Sequence, residues 1–237
     1  MLIQGSTLLA MSNTEFSAVT LEELVDTKTT ALVVVDMQND FCHSEGALAR
    51  NRQSPVLIQA MAPRLRALLA SARETGTSIV HVRTHHSPWT NSPAWTRRKL
   101  GAMSRCFPNS WGADWYEGFE PILDDAWSPE THEYVVTKHR YSAFWDTDMD
   151  LILRSHGIQS LIMTGEATNV CVETTARDAY MRDYSVVFVS DSTATYSQAV
   201  HEATLHNMSA HFGIVVDSDE IVAAWRKLGV LKEPVAV

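Results

Sequence analysis

The chain has 237 residues, enough for one α/β domain with a sizeable core, and 45% of them are hydrophobic, so a globular fold is expected rather than disorder. Lys and Arg number 19 against 28 Asp and Glu, a net charge of −9. That balance argues against a partner such as duplex nucleic acid, which needs a basic face, but it allows an anionic small molecule wherever a few arginines line a pocket.

Three scattered cysteines, Cys42, Cys106 and Cys171, make neither a disulfide framework nor a Cys-x-x-Cys zinc pair, and they fit a reducing, cytoplasmic setting. No apolar run approaches the ~18 residues of a membrane helix. The first residues lack the basic n-region of a signal peptide.

Residues 1–25 read as a flexible arm, and 26–237 as a single domain in which strand-length apolar runs alternate with helical patterns. "ALVVVD" (31–36) is the first strand. The segment 54–76 has helical spacing, with Ser54 as cap, Pro55 in the first turn, Gly76 at the end and Pro63 expected to kink or break it. "SIVHVRT" (78–84) is the second strand and "EYVVTK" (133–138) the third. A short helix is expected over 146–157, a strand over 160–165 and a helix over 169–183. A strand over 185–191, a helix over 197–211, a short strand over 213–216 and a helix over 218–229 complete the series.

Runs that are apolar throughout suit a parallel sheet covered on both faces. The pattern therefore predicts an α/β, doubly wound, Rossmann-like open sheet of about six mostly parallel strands with helices on both faces. Residues 86–130 interrupt the rhythm with five of the seven tryptophans, and a crossover of this length reads as a lid or a subunit contact walling a pocket. Its basic stretch, Arg97, Arg98, Lys99 and Arg105, reads mostly as solvated surface.

Ligands of open parallel sheets sit at the carboxyl ends of the strands. The first strand ends in Asp36, the third in Lys138, and the fourth leads through "TGEATNV" to Cys171. Singly, each has an ordinary structural explanation: a turn cap, a solvated end, a core thiol. Together they make a chemical unit. A cation and a helix N-terminus lower a thiol pKa, Asp36 can take the thiol proton and return it to a leaving amine, and the turn before Cys171 can aim N–H groups at an oxyanion. Arg177 gives a Cys-x5-Arg spacing, but the intervening "VETTA" has no glycine to wrap a phosphate, and a helix would point Arg177 away from Cys171.

"ALVVVDMQNDF", "KHRYSAF" and "TGEATNVCVETTARDA", in this order, resemble the isochorismatase-like cysteine hydrolases, which include nicotinamidases, N-carbamoylsarcosine amidases, biuret hydrolases and ureidoacrylate amidohydrolases. The resemblance runs from residue 31 to about 220. It implies a cofactor-free enzyme with Asp36 as base, Lys138 as electrostatic partner and Cys171 as nucleophile. It also implies a cis peptide at Glu166–Ala167, an oxyanion hole of the Ala167 and Cys171 N–H groups, and a homo-oligomer, dimer or tetramer.

Relatives that bind a metal do so through Asp-x-His, where this chain has the adjacent His85 and His86, so no metal is expected. The resemblance is nearest to the branch acting on carbamoyl and ureido amides of the triuret, biuret or ureidoacrylate type. The glutamine of biuret hydrolases is replaced here by Asn207 and Met208. Glu166, where relatives are apolar, either accepts substrate NH2 groups or pairs with Arg140 or Arg177. Phe41 and Tyr141 are candidate pocket walls. A metal-dependent nicotinamidase and a non-catalytic scaffold of the same fold are the alternatives.

Overall fold

A computed structural model describes residues 19–97, 105–123 and 132–232. Its centre is a six-stranded sheet in the order β3-β2-β1-β4-β5-β6. The strands are β1 (Thr30–Val35), β2 (Ser78–Thr84), β3 (Glu133–Lys138), β4 (Ser160–Glu166), β5 (Ser185–Ala194) and β6 (Ile214–Val216). Every pairing is parallel. The winding reverses between β1 and β4, so the crevice above their carboxyl ends is the place where such a sheet accepts a ligand.

The continuous apolar run of β1 divides by the two-residue period of a strand. Leu32 and Val34 join one core with Leu65, Leu68, Leu69, Ile221 and Trp225, from the Val56–Thr75 and Ser218–Lys227 helices. Ala31, Val33 and Val35 join the other with Met149, Leu153, Ala176, Ala179 and Met208, from the helices Met149–Ser155, Glu173–Tyr180 and Gln198–His211. Burying each Leu or Val contributes roughly 1.5–3 kcal/mol, which is what holds helices to both faces of the sheet. Gly165 sits next to Val35 in register with a φ of 104°, and a Cβ there would collide with the Val35 backbone. Glycine lets β4 approach β1 at the crevice.

Three expectations about local structure need correction. Pro63 does not break the helix around it, which runs as one element and begins at Val56 with Pro55, not Ser54, at the cap. Buried Ile58, Met61, Leu65, Leu68 and Leu69 on its inner face hold it together across the missing N–H. β5 extends three residues past 191 through "STA", because Thr193 and Ala194 still pair with Gly165 and Glu166 of β4. The arm expected to reach residue 25 ends earlier. Leu21–Leu24 form a helical turn closed by a Thr20–Glu23 capping box, and Val25 is buried with its carbonyl accepting from Trp225 Nε1 at 2.9 Å. The remainder of that arm, residues 1–18, lies outside the described residues.

Candidate active site

The crevice gathers four side chains from separate strand ends. Asp36 follows β1 in a left-handed conformation (φ 53°), which aspartate tolerates better than most residues. Its N–H donates to the Val82 carbonyl at 2.8 Å. Lys138 closes β3 in register with Thr84 at the end of β2. Its Nζ donates to Asp36 Oδ2 at 2.7 Å, to Thr84 Oγ1 at 2.6 Å and to Cys171 Sγ at 3.5 Å. Thr84 Oγ1 donates in turn to Asp36 Oδ1 at 2.9 Å. Cys171 lies in a wide helical turn, Thr168–Val172, that runs into the Glu173–Tyr180 helix. The Glu166–Ala167 peptide preceding that turn is cis.

Asp36, Lys138 and Thr84 are buried, so their pairing is not screened by bulk water. Burial works against the Lys138 charge, but Asp36 and Cys171 outweigh it and raise its pKa, fixing it as an ammonium. For Cys171 the outcome reverses the expectation of a depressed thiol. Burial pushes its pKa well above the ordinary value, Lys138 opposes, and Asp36 and Glu166 add to the rise. Burial and the neighbouring acids thus favour the protonated sulfur. Cys42 and Cys106 are also raised by burial.

A cavity of about 270 Å³ opens above this group. Ala167, Cys171 and Lys138 line it, together with Phe41, Tyr141 and Glu166. The crossover supplies further wall. His86, Trp95 and Arg105 line the cavity, with Trp95 packed on Tyr141 at 4.8 Å and Arg105 over the Phe41 ring at 5.5 Å. Arg105 thus departs from the solvated role expected of the basic stretch. Asp40, buried after β1, accepts the neighbouring Cys106 N–H at 2.6 Å and ties that part of the crossover to the crevice. Arg97 is exposed, whereas Arg98 and Lys99 lie outside the described residues, as does Trp127.

Glu166 pairs with neither arginine considered for it. Arg177 binds Glu173 at 2.6 Å and covers Phe212 at 4.2 Å, turned away from Cys171 as a helix requires. Arg140 donates to the Thr90 and His139 carbonyls and stacks on Trp95. The partner of Glu166 is Tyr196, whose hydroxyl lies 3.0 Å from Oε2. Asn207 is exposed and Met208 is in the core, so neither reaches the cavity. Of the two adjacent histidines, only His86 lines the cavity. The His85 carbonyl meets His139 Nδ1 at 2.8 Å, and the described residues contain no cluster of three His, Cys, Asp or Glu able to hold a metal ion.

Sequence reasoning missed Thr84, Tyr196 and Gln38. Thr84 ends β2, a strand whose last residue drew no attention. Gln38 clamps it, accepting the Thr84 N–H at 2.7 Å and donating to its carbonyl at 3.1 Å. Tyr196 was hidden because β5 was expected to end at 191, whereas it runs to Ala194, two residues before Tyr196.

The Isochorismatase domain family matches residues 30–220. The chain belongs to the isochorismatase family. Among curated isochorismatase relatives, ureidoacrylate amidohydrolase RutB of Methylorubrum extorquens is 34% identical over 207 residues, 84% of each chain. RutB of Serratia proteamaculans is 34% identical over 208 residues, 80% of each. Among solved structures, N-carbamoylsarcosine amidase from Thermoplasma acidophilum superposes with a TM-score of 0.64 at 29% identity, covering 81% of this chain and 97% of that one. A cysteine hydrolase from Pseudomonas syringae pv. phaseolicola gives 0.72 at 25% identity over 86% and 95%.

Proposed function

We propose that the chain is a cysteine-dependent amidohydrolase that cleaves a C–N bond of a small linear carbamoyl or ureido amide through a thioester-type acyl-enzyme. The broader statement, a hydrolase acting on carbon–nitrogen bonds other than peptide bonds, follows from its family and its relatives. The observation that supports the finer reading is the buried contact of Lys138 with both Asp36 and Cys171, where Lys138 and Cys171 line the cavity.

As the sulfur attacks the amide carbon, the thiol proton passes to Asp36. The carbonyl oxygen becomes an oxyanion facing the N–H groups of Ala167 and Cys171, which cost no reorganisation because the backbone already holds them. Asp36 then gives the proton to the leaving nitrogen, and ammonia or an amine departs. Water, deprotonated by the same carboxylate, attacks the thioester, the C–S bond breaks to free an acid or a carbamate, and Asp36 returns the proton to the Cys171 sulfur. Lys138 stays charged throughout, orienting Asp36 and offsetting negative charge on sulfur.

A cavity of about 270 Å³ suits a short linear molecule. Arg105 and Arg140 on its wall favour a carbonyl-rich or carboxylate-bearing substrate, in keeping with relatives named ureidoacrylate amidohydrolase. An ammonia-release screen over ureidoacrylate, biuret, triuret, N-carbamoyl amino acids and nicotinamide tests this reading. Release from a ureido or carbamoyl compound, unaffected by chelator, is expected. Release from nicotinamide alone, abolished by chelator, would overturn it.

A further inference from the structure

We propose that Glu166 is a neutral carboxylic acid at neutral pH, and that loss of its proton switches the cavity away from anionic substrates. The proposal rests on the amidohydrolase reading and adds a specificity-determining residue to it.

The hydroxyl of Tyr196 has two oxygen neighbours: the Phe41 carbonyl at 3.1 Å and Glu166 Oε2 at 3.0 Å. A phenol has one proton to donate. A peptide carbonyl only accepts, and no other donor among the described residues reaches that of Phe41. If the Tyr196 proton points to Phe41, the second contact holds a proton only when Glu166 Oε2 carries it. The chain is then complete, with Glu166 Oε2–H donating to the Tyr196 oxygen and Tyr196 O–H donating to Phe41. An ionised Glu166 would draw the Tyr196 proton to itself and leave the Tyr196 and Phe41 oxygens facing each other at 3.1 Å in a partly buried setting.

The surroundings act in the same direction. Glu166 is 2% exposed and forms no ion pair among the described residues. Asp36 on the β1 end and the thiols of Cys42, Cys106 and Cys171 stand around it on neighbouring segments. Lys138 on β3 is committed to Asp36, and Arg105 from the crossover faces Phe41 instead. Burial and the Asp36 charge lift Glu166 to about 8, against smaller opposition from Tyr196, Arg105 and Lys138.

A protonated Glu166 presents the cavity with Oε1 as an uncharged carbonyl. That atom accepts N–H groups of an amide or ureide without repelling a carboxylate carried elsewhere on the substrate, and Arg105 and Arg140 then favour the anion. Above pH 8 the same side chain is an anion on the cavity wall. Carboxylate substrates lose affinity, while neutral polyamides, which only donate N–H to it, do not.

The test measures kcat/KM for ureidoacrylate relative to biuret from pH 7 to pH 9. A ratio cancels any pH dependence of the catalytic steps that both substrates share. For a group titrating near 8 the protonated fraction falls about tenfold over that range, and the ratio follows it. In E166Q, which carries no charge at any pH, the ratio stays constant. Difference infrared spectroscopy of the free protein reads the proton directly. A protonated carboxyl C=O band, present at pH 6, disappears near pH 8, is missing in E166Q and shifts in Y196F. Absence of that band at pH 6, or a wild-type ratio independent of pH, overturns the proposal. The infrared titration needs no substrate, so a chain inert toward both compounds refutes the amidohydrolase reading separately.

Discussion

Thr84→Val removes one hydroxyl from the centre of the site and leaves its volume unchanged. The lost oxygen accepts from Lys138 Nζ at 2.6 Å and donates to Asp36 Oδ1 at 2.9 Å. Hydrogen bonds to charged groups contribute about 1.5–3 kcal/mol each, so the two could total ~3–6 kcal/mol. The direct Lys138–Asp36 contact at 2.7 Å survives the substitution and recovers part of this. A loss of about 2–3 kcal/mol in transition-state stabilisation is expected, equivalent to roughly 30- to 150-fold in kcat/KM. The assay is steady-state ammonia release with the best substrate of the screen, beside a thermal melt. Thr84→Ser restores the hydroxyl and should recover most of the rate. A valine variant within twofold of the parent, folded and equally stable, would refute the view that Thr84 orients the Asp36–Lys138 pair.

Iodoacetamide should modify Cys171 slowly at pH 7 and faster as pH rises past the ordinary thiol value, because burial keeps the proton on sulfur. Asp36→Asn removes a charge that raises the Cys171 pKa, so it should alkylate faster than the parent near pH 8 while losing turnover; equal rates would contradict the assignment. At the other end of the sheet, burial alone would raise Glu133, but bonds from His81 at 2.8 Å and Arg73 at 2.7 Å outweigh it and hold Glu133 at about 2. A depressed carboxyl stabilises the fold above its unfolded pKa, so this contribution is present above about 4.5 and is lost as pH falls toward 2. With Arg73 about a quarter exposed, solvent screening reduces it to the order of 1–3 kcal/mol. Glu133→Gln should flatten the acid limb of melting temperature between pH 5 and 3, and an unchanged limb would contradict the assignment.

Much of this molecule is legible in its sequence because continuous apolar runs and a strict strand–helix alternation admit few arrangements. Asp36, Lys138 and Cys171 follow from asking what stands at each strand end. What escaped has physical causes. Thr84 is chemically unremarkable until parallel register sets it beside Lys138. Tyr196 lies beyond a stretch, "SDSTA", whose polarity hides the fact that it is still strand. Arg105 looks like surface in a basic run, and it takes bonds to the neighbouring Cys106 from Asp40 and His86, invisible in the sequence, to bring that part of the crossover to the cavity. The Cys171 pKa was misjudged in direction, because spacing shows its cation but not the burial and carboxylates that outweigh it.

The central claim is that the Cys171 sulfur gives its proton to Asp36 and becomes acylated. Rapid-quench peptide mapping by mass spectrometry during turnover tests it most directly. An acyl adduct confined to the peptide carrying Cys171, accumulating in the parent and missing in Asp36→Asn, is the predicted result. Turnover without any adduct on that peptide, or a Cys171→Ser variant working at the parent's rate, would contradict it.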